Sequence, residues 1–280
     1  MPELEGDAGG VGAGEATSGV APVAGPRNAP VGEPLVEFLL RLGDDRLVLG
    51  HRLSEWTGHG PILEEDIATA NVALDLIGQA TLLLKLAGAA EGQGRDEDAL
   101  AYFRDGVEYR NCLLVEQPNG DFGDTMVRQL LFDTYSVLLW EALAKCGHAE
   151  LAAIAAKALK EGKYHLRHSS EWVVRLGDGT AESHARVQGS LDRLWRYTGE
   201  LFDRDEVDDR VAAHGIGVDT AGIERRWEAM VRDVLARATL ERPADGPMQR
   251  GGRRGRHSEH LGHLLATMQS VARAHPGASW

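Results

Sequence analysis

Strand signals are almost absent from this 280-residue sequence. Apolar residues recur at helical spacing throughout, so a sheet-based fold has little support. Cysteine is scarce as well. Cys112 and Cys146 are the only two, with no CxxC or Cys/His metal spacing, which argues against a disulfide framework and for two reduced, partly buried thiols in a cytoplasmic protein. Positive charge is in deficit: 30 Lys and Arg face 43 Asp and Glu, a formal net charge of −13. That balance argues against a nucleic-acid surface, which needs clustered cations. The longest apolar runs fall far short of the ~20 residues of a membrane span, so no membrane partner is expected. Nucleophile elbow, phosphate loop and dinucleotide fingerprint are all missing.

What is present is helix. Residues 1–33 are rich in Gly, Ala and Pro, lack the basic start and apolar core of a signal peptide, and read as a disordered extension. Residues 34–280 read as one helical domain. Over 35–56, Leu35, Leu39, Leu42, Leu49, Leu53 and Trp56 form an apolar face; over 65–86, Ile67, Ala70, Leu74, Ile77 and Leu84 do the same. Thr57-Gly-His-Gly-Pro61 breaks the chain between them, making an antiparallel hairpin. After a Gly- and charge-rich link, a helix is expected over 99–115. A turn at Gln117-Pro-Asn-Gly120 precedes a helix over 122–146, capped by Asp121 or Asp124, with Met126, Leu130, Val137 and Trp140 inward. A long helix over 149–176 completes a second hairpin. Helices over 181–201, 220–240 and 257–274 follow, with Ser258 a candidate cap for the last. The stretch 250–256 is a Gly/Arg loop that suits an acidic partner or a phosphate-bearing ligand, though a flexible surface loop is the simpler reading. Four long helices in two hairpins, joined by a crossover, is the layout of an all-α, ferritin-like bundle; a generic helical bundle fits the pattern as well.

A ferritin-like di-iron site needs an inward carboxylate on each of two helices and Glu-x-x-His on each of the other two. Asp45 and Asp75 are the candidates in the first hairpin, but Gly78 stands three residues after Asp75. Asp133 and Glu161 are the candidates in the second, with Tyr164 at the third position and His165 one residue late. His168 follows on the same stripe. Lys160, Lys163 and Arg167 crowd the segment with positive charge, which favours ion pairs over metal. The five positions Asp45, Asp75, Asp133, Glu161 and His165 therefore read as a vestigial di-iron set, with no catalytic, cofactor-binding or metal residue assigned. His257, Glu259, His260 and His263 offer a second chelating pattern, more simply read as a helix start and a contact surface. Glu64-Glu-Asp66 suits a helix N-terminus electrostatically.

Several blocks resemble one family. They are Leu42-Gly-Asp-Asp-Arg-Leu-Val-Leu-Gly50, Arg52-Leu-Ser-Glu-Trp56, Glu64-Glu-Asp-Ile67, Asn71-Val-Ala-Leu-Asp-Leu-Ile-Gly-Gln-Ala80 and Val115-Glu-Gln-Pro-Asn-Gly-Asp-Phe122. Tyr164-His-Leu-Arg-His-Ser169, Arg175-Leu-Gly-Asp-Gly-Thr180, His257-Ser-Glu-His-Leu-Gly262 and Ala274-His-Pro-Gly-Ala-Ser-Trp280 continue the series. In this order they resemble the C subunits of phenylacetyl-CoA epoxidase complexes over about 34–280. The resemblance implies a ferritin-like, non-catalytic subunit that scaffolds a homologous catalytic A subunit. That A subunit would hold the di-iron centre and the CoA thioester. A reductase with flavin and iron–sulfur would bring electrons from NADPH. No cofactor is expected in this chain. Two other readings stay open: a di-iron or mononuclear oxygenase active in its own right, and a ferritin-like interaction module outside any oxygenase.

Overall fold

The computed structural model describes residues 32–278; residues 1–31 of the expected extension lie outside them, and Glu33 already opens the first helix. Ten α-helices and no strand occur among the described residues. α1 (Glu33–Ser54) and α2 (Leu63–Glu91) form the first hairpin, and a short α3 (Glu97–Tyr102) follows. α4 (Phe122–Leu143) and α5 (Ala149–Gly177) form the second. α6 (Ala181–Leu194), α7 (Glu206–Ala212), α8 (Thr220–Arg237), α9 (Glu259–Met268) and α10 (Ser270–Ala274) pack around it. The ferritin-like layout read from the sequence is thus the observed one.

The ends of the long helices follow their sequence. Both candidate caps of α4 act together: Asp121 accepts from the Asp124 N–H and Asp124 accepts from the Asp121 N–H, each at 3.0 Å. Gly92 ends α2 in a left-handed conformation. α4 is the central helix, buried nearly all round, with Met126, Leu130, Val137 and Trp140 inside as expected. On α1 the expected Leu face is also inside.

α2 differs from its expected packing. Its buried side is Thr69, Val72, Ala73, Leu76, Ala80, Leu83, Leu84 and Ala87. Ile67 and Leu74, expected inside, are exposed. The helix is apolar on both sides, so periodicity alone does not single out the face that meets α1. By length and composition α2 would also pass as a membrane span, although it carries Glu64, Glu65, Asp66 and Asp75 and docks on α1 along its inner face.

The segment expected as a helix over 99–115 is helical only to Tyr102. Beyond one 3-10 turn (Gly106–Glu108) it runs as irregular chain to Asp121, with Cys112, Leu114 and Val115 fully buried. Helix α7 has no counterpart among the expected elements, and the expected last helix breaks at Gln269. The 250–256 loop is not a flexible surface loop. Gly251 and Gly252 are buried, and a Cβ at Gly252 would collide with the Asn111 carbonyl oxygen. Only a glycine lets this loop lie against the crossover. Replacing Gly252 by Ala is expected to destabilise the fold by about 2–3 kcal/mol, read as a lower midpoint in chemical denaturation.

Candidate functional site

The vestigial set splits between two places. Asp75 on α2 and His165 on α5 meet at 3.0 Å. His165 is buried and turned inward, so the imidazole one residue late is the one that enters the bundle. Tyr164, at the third position, is instead 47% exposed and stacks on His168. Glu161 accepts from the Gln79 amide at 2.9 Å and pairs with Lys157 at 3.7 Å. His168 bonds Glu65 at 2.8 Å, which gives the acidic start of α2 a partner besides its own helix dipole.

Asp133 on α4 accepts from the Ser169 hydroxyl at 2.9 Å. Burial raises its pKa to about 6, and the neighbouring His165, the Ser169 hydrogen bond and His168 restrain that rise. The void beside Asp133 and His165 measures only about 10 Å³, room for one water at most.

Asp45 joins none of these. It turns toward the crossover and the C-terminal loop, accepting from the Cys112 N–H at 2.8 Å and from both terminal nitrogens of Arg253 at 3.0 and 2.8 Å. The α1 side chain that enters the bundle is the next one, Arg46. Its guanidinium lies 4.4 Å from the Trp140 ring centre and bonds Ser136. Burial lowers its pKa, against the nearby Asp45. A cation where a metal ligand is required, and carboxylates already bonded to His, Gln, Lys and Ser, do not fit a di-iron centre. Among the described residues, no three His, Cys, Asp or Glu side chains gather at metal-holding distance.

A second polar cluster is one that sequence reasoning misses. Four carboxylates, Asp44, Asp45, Glu116 and Glu200, are buried beneath the crossover. Asp44 takes the Arg104 guanidinium and the Arg110 N–H. Glu116 takes Asn111, the Ser258 N–H and His257 at 2.6–2.9 Å. Glu200 takes the N–H groups of Leu113, Gly251 and Arg253. Ser258 and His257 are therefore used here: the Ser258 hydroxyl makes no cap bond to α9. Burial would lower the Arg253 pKa, but Asp45 in particular holds it well above its ordinary value. Burial, reinforced by Asp45, pushes the Cys112 thiol far up, so it stays protonated and inert. The signal for this cluster is present in the paired acids of the 42–50 block and in Glu116, but their partners lie up to 208 residues away.

An all-α, ferritin-like bundle whose inward acids and imidazoles bond to one another is the class that fold and site define. Residues 26–280 match the family described as phenylacetic acid catabolic protein, and the chain belongs to that family. It is 48% identical over 246 residues to the C subunit of the 1,2-phenylacetyl-CoA epoxidase of Escherichia coli (strain K12), covering 88% of this chain and 99% of that relative.

Two measurements check the site. Asp133 has a raised pKa in the folded state, so the stability it confers is full below about pH 3.8 and is lost as pH rises through about 6. Asp133→Asn is expected to gain about 1–3 kcal/mol near pH 7.5 and nothing near pH 3.5, as the difference between two urea titrations. Arg253→Gln leaves Asp45 buried without its cation and is expected to cost about 3–5 kcal/mol. Asp45→Asn in the same chain should recover part of that loss.

Proposed function

We propose that this chain is a non-catalytic structural subunit of a multicomponent di-iron ring epoxidase acting on phenylacetyl-CoA in phenylacetate breakdown. Its role is to scaffold a homologous catalytic A subunit. The di-iron centre resides in that homologue, and a reductase with flavin and iron–sulfur draws electrons from NADPH. The complex works in the cytoplasm. The reading is carried by 48% identity across 99% of a relative named as the C subunit of that enzyme. It is supported by the donor set, in which Asp75, Asp133 and Glu161 each bond a protein partner and Asp45 is diverted to Arg253.

The outer face of α2 supplies the surface a scaffold needs. Leu63, Ile67 and Leu74 are 72, 53 and 66% exposed, and Leu82 continues the row at 36%. At 1.5 Å per residue the row is about 28 Å long. An exposed apolar stripe of this length marks a protein contact. Beside it α5 presents Lys157, Lys160, Tyr164 and Arg167 to solvent. A long helix of the catalytic partner, apolar along its centre and acidic at its edge, fits this face.

Iron analysis of the chain purified alone and together with its di-iron homologue tests the proposal. Iron and epoxidation are expected only with the homologue present. Two tightly bound irons with turnover by this chain alone would reject it. Leu74→Glu, on the outside of α2, is expected to abolish co-purification while leaving the thermal midpoint within a few degrees.

A further inference from the structure

The structure has a cleft that neither the vestigial metal position nor the α2 surface accounts for. It has a volume of about 460 Å³, within the range of small-molecule sites. Its apolar part comes from Phe38 and Leu42 of α1, Leu139 of α4, Phe202, and Ile223 of α8. The other wall is rich in arginine: Arg41, Arg204, Arg250, Arg253, Arg254 and Arg256 all line it. In a chain of net charge −13 this is a local reversal of sign.

The carboxylates lining the cleft are already occupied. Asp205 and Asp208 hold Arg41, and Asp203 holds Arg250. Glu200 is saturated by three backbone N–H groups. Arg204 pairs with Asp209, and Arg253 with Asp45. Arg254 and Arg256 remain. Both are exposed, and neither guanidinium has a carboxylate partner among the described residues. The backbone of the 250–256 loop that carries them is fixed by buried glycines and by Glu200, so a ligand has only the two side chains to order.

Tyr135 is the second observation. It lines the cleft from α4, is only 8% exposed, and its ring is set by edge contact with Phe202. Its hydroxyl makes no hydrogen bond to any described residue. Burial pushes its pKa up to about 12, against Arg253, so it remains a neutral O–H donor at physiological pH. A donor that opens into the cleft without a protein acceptor, beside arginines and an apolar wall, suits an anion with an apolar body.

We propose that this cleft binds a small monocarboxylate bearing an aryl or branched alkyl group. The carboxylate accepts from the Tyr135 hydroxyl and is drawn by the Arg254 and Arg256 guanidinium groups, and the apolar body lies against Phe38, Leu42 and Leu139. The site lies in this chain and takes no part in oxygen chemistry.

Calorimetric titration of the full chain with phenylacetate tests this, with phenylacetamide and inorganic phosphate as companion probes. Saturable binding at one equivalent is expected, with a Kd of about 1 mM or tighter. The uncharged amide and the phosphate, which lacks an apolar body, should each bind at least ~10-fold more weakly. Tyr135→Phe should weaken phenylacetate binding by about 10-fold, and Arg254→Gln with Arg256→Gln by a similar factor. The arginine pair is exposed and free of carboxylate partners, so it reads the site even where Tyr135→Phe disturbs the core. Absence of saturation, equal binding of the amide or of phosphate, or unchanged affinity in the arginine double variant would each overturn the assignment.

Discussion

The Asp45–Arg253 ion pair is the constraint on which the packing of this chain depends. Asp45 sits mid-way along α1 and has no access to water. An ionised carboxylate in that position is tolerable only with a cation and further donors, and it has both: Arg253 and the Cys112 N–H. Those partners come from the crossover and from the C-terminal loop. Arg253 in turn donates to the carbonyl oxygens of Arg41 and Arg110. One buried charge thus ties α1, an irregular crossover and a distant loop into a single block. Asp44, Glu116 and Glu200 repeat the device on either side.

The same block explains which parts of the fold are legible in the sequence. α1, α4 and α5 can be read because their apolar residues follow helical spacing and their ends carry breakers or caps. The crossover cannot. Leu113, Leu114 and Val115 give it the apolar content of a helix, but its N–H groups at Arg110, Cys112 and Leu113 are taken by Asp44, Asp45 and Glu200 instead of by helical carbonyls. Tertiary carboxylates override local preference there. α2 reads as a helix, but Ile67 and Leu74 of its expected inner face lie outside, since a helix apolar on both sides gives no clear signal for which side is core. The apolar surplus that obscures its inner face is the part left for a partner.

At the positions of the expected di-iron set the sequence shows which residue types are present but not how they pair. The missing imidazole after Asp75 is visible as Gly78. That His165 and not Tyr164 faces inward depends on the rotation of α5, which its neighbours set through Asp75, Gln79 and Glu65. Nor does the sequence reveal that Arg46 takes the inward place beside Asp45. An arginine that follows two acids on a helix is most often a surface residue. Here it lies under Trp140 and Phe132, where its charge opposes metal binding and its plane packs as an aromatic neighbour would.

The separation of Asp45 from Arg253 also bears on how the chain acquires its shape during synthesis. The two residues are 208 positions apart. At a translation rate of about 5–20 residues per second, Asp45 is synthesised about 10–40 s before its cation exists. The first hairpin can form as helix in that interval and Asp44 can take Arg104, but Asp45 still lacks its cation. Final locking of α1 therefore waits for the C-terminal loop, and Asp45 stays without its cation until that loop has emerged.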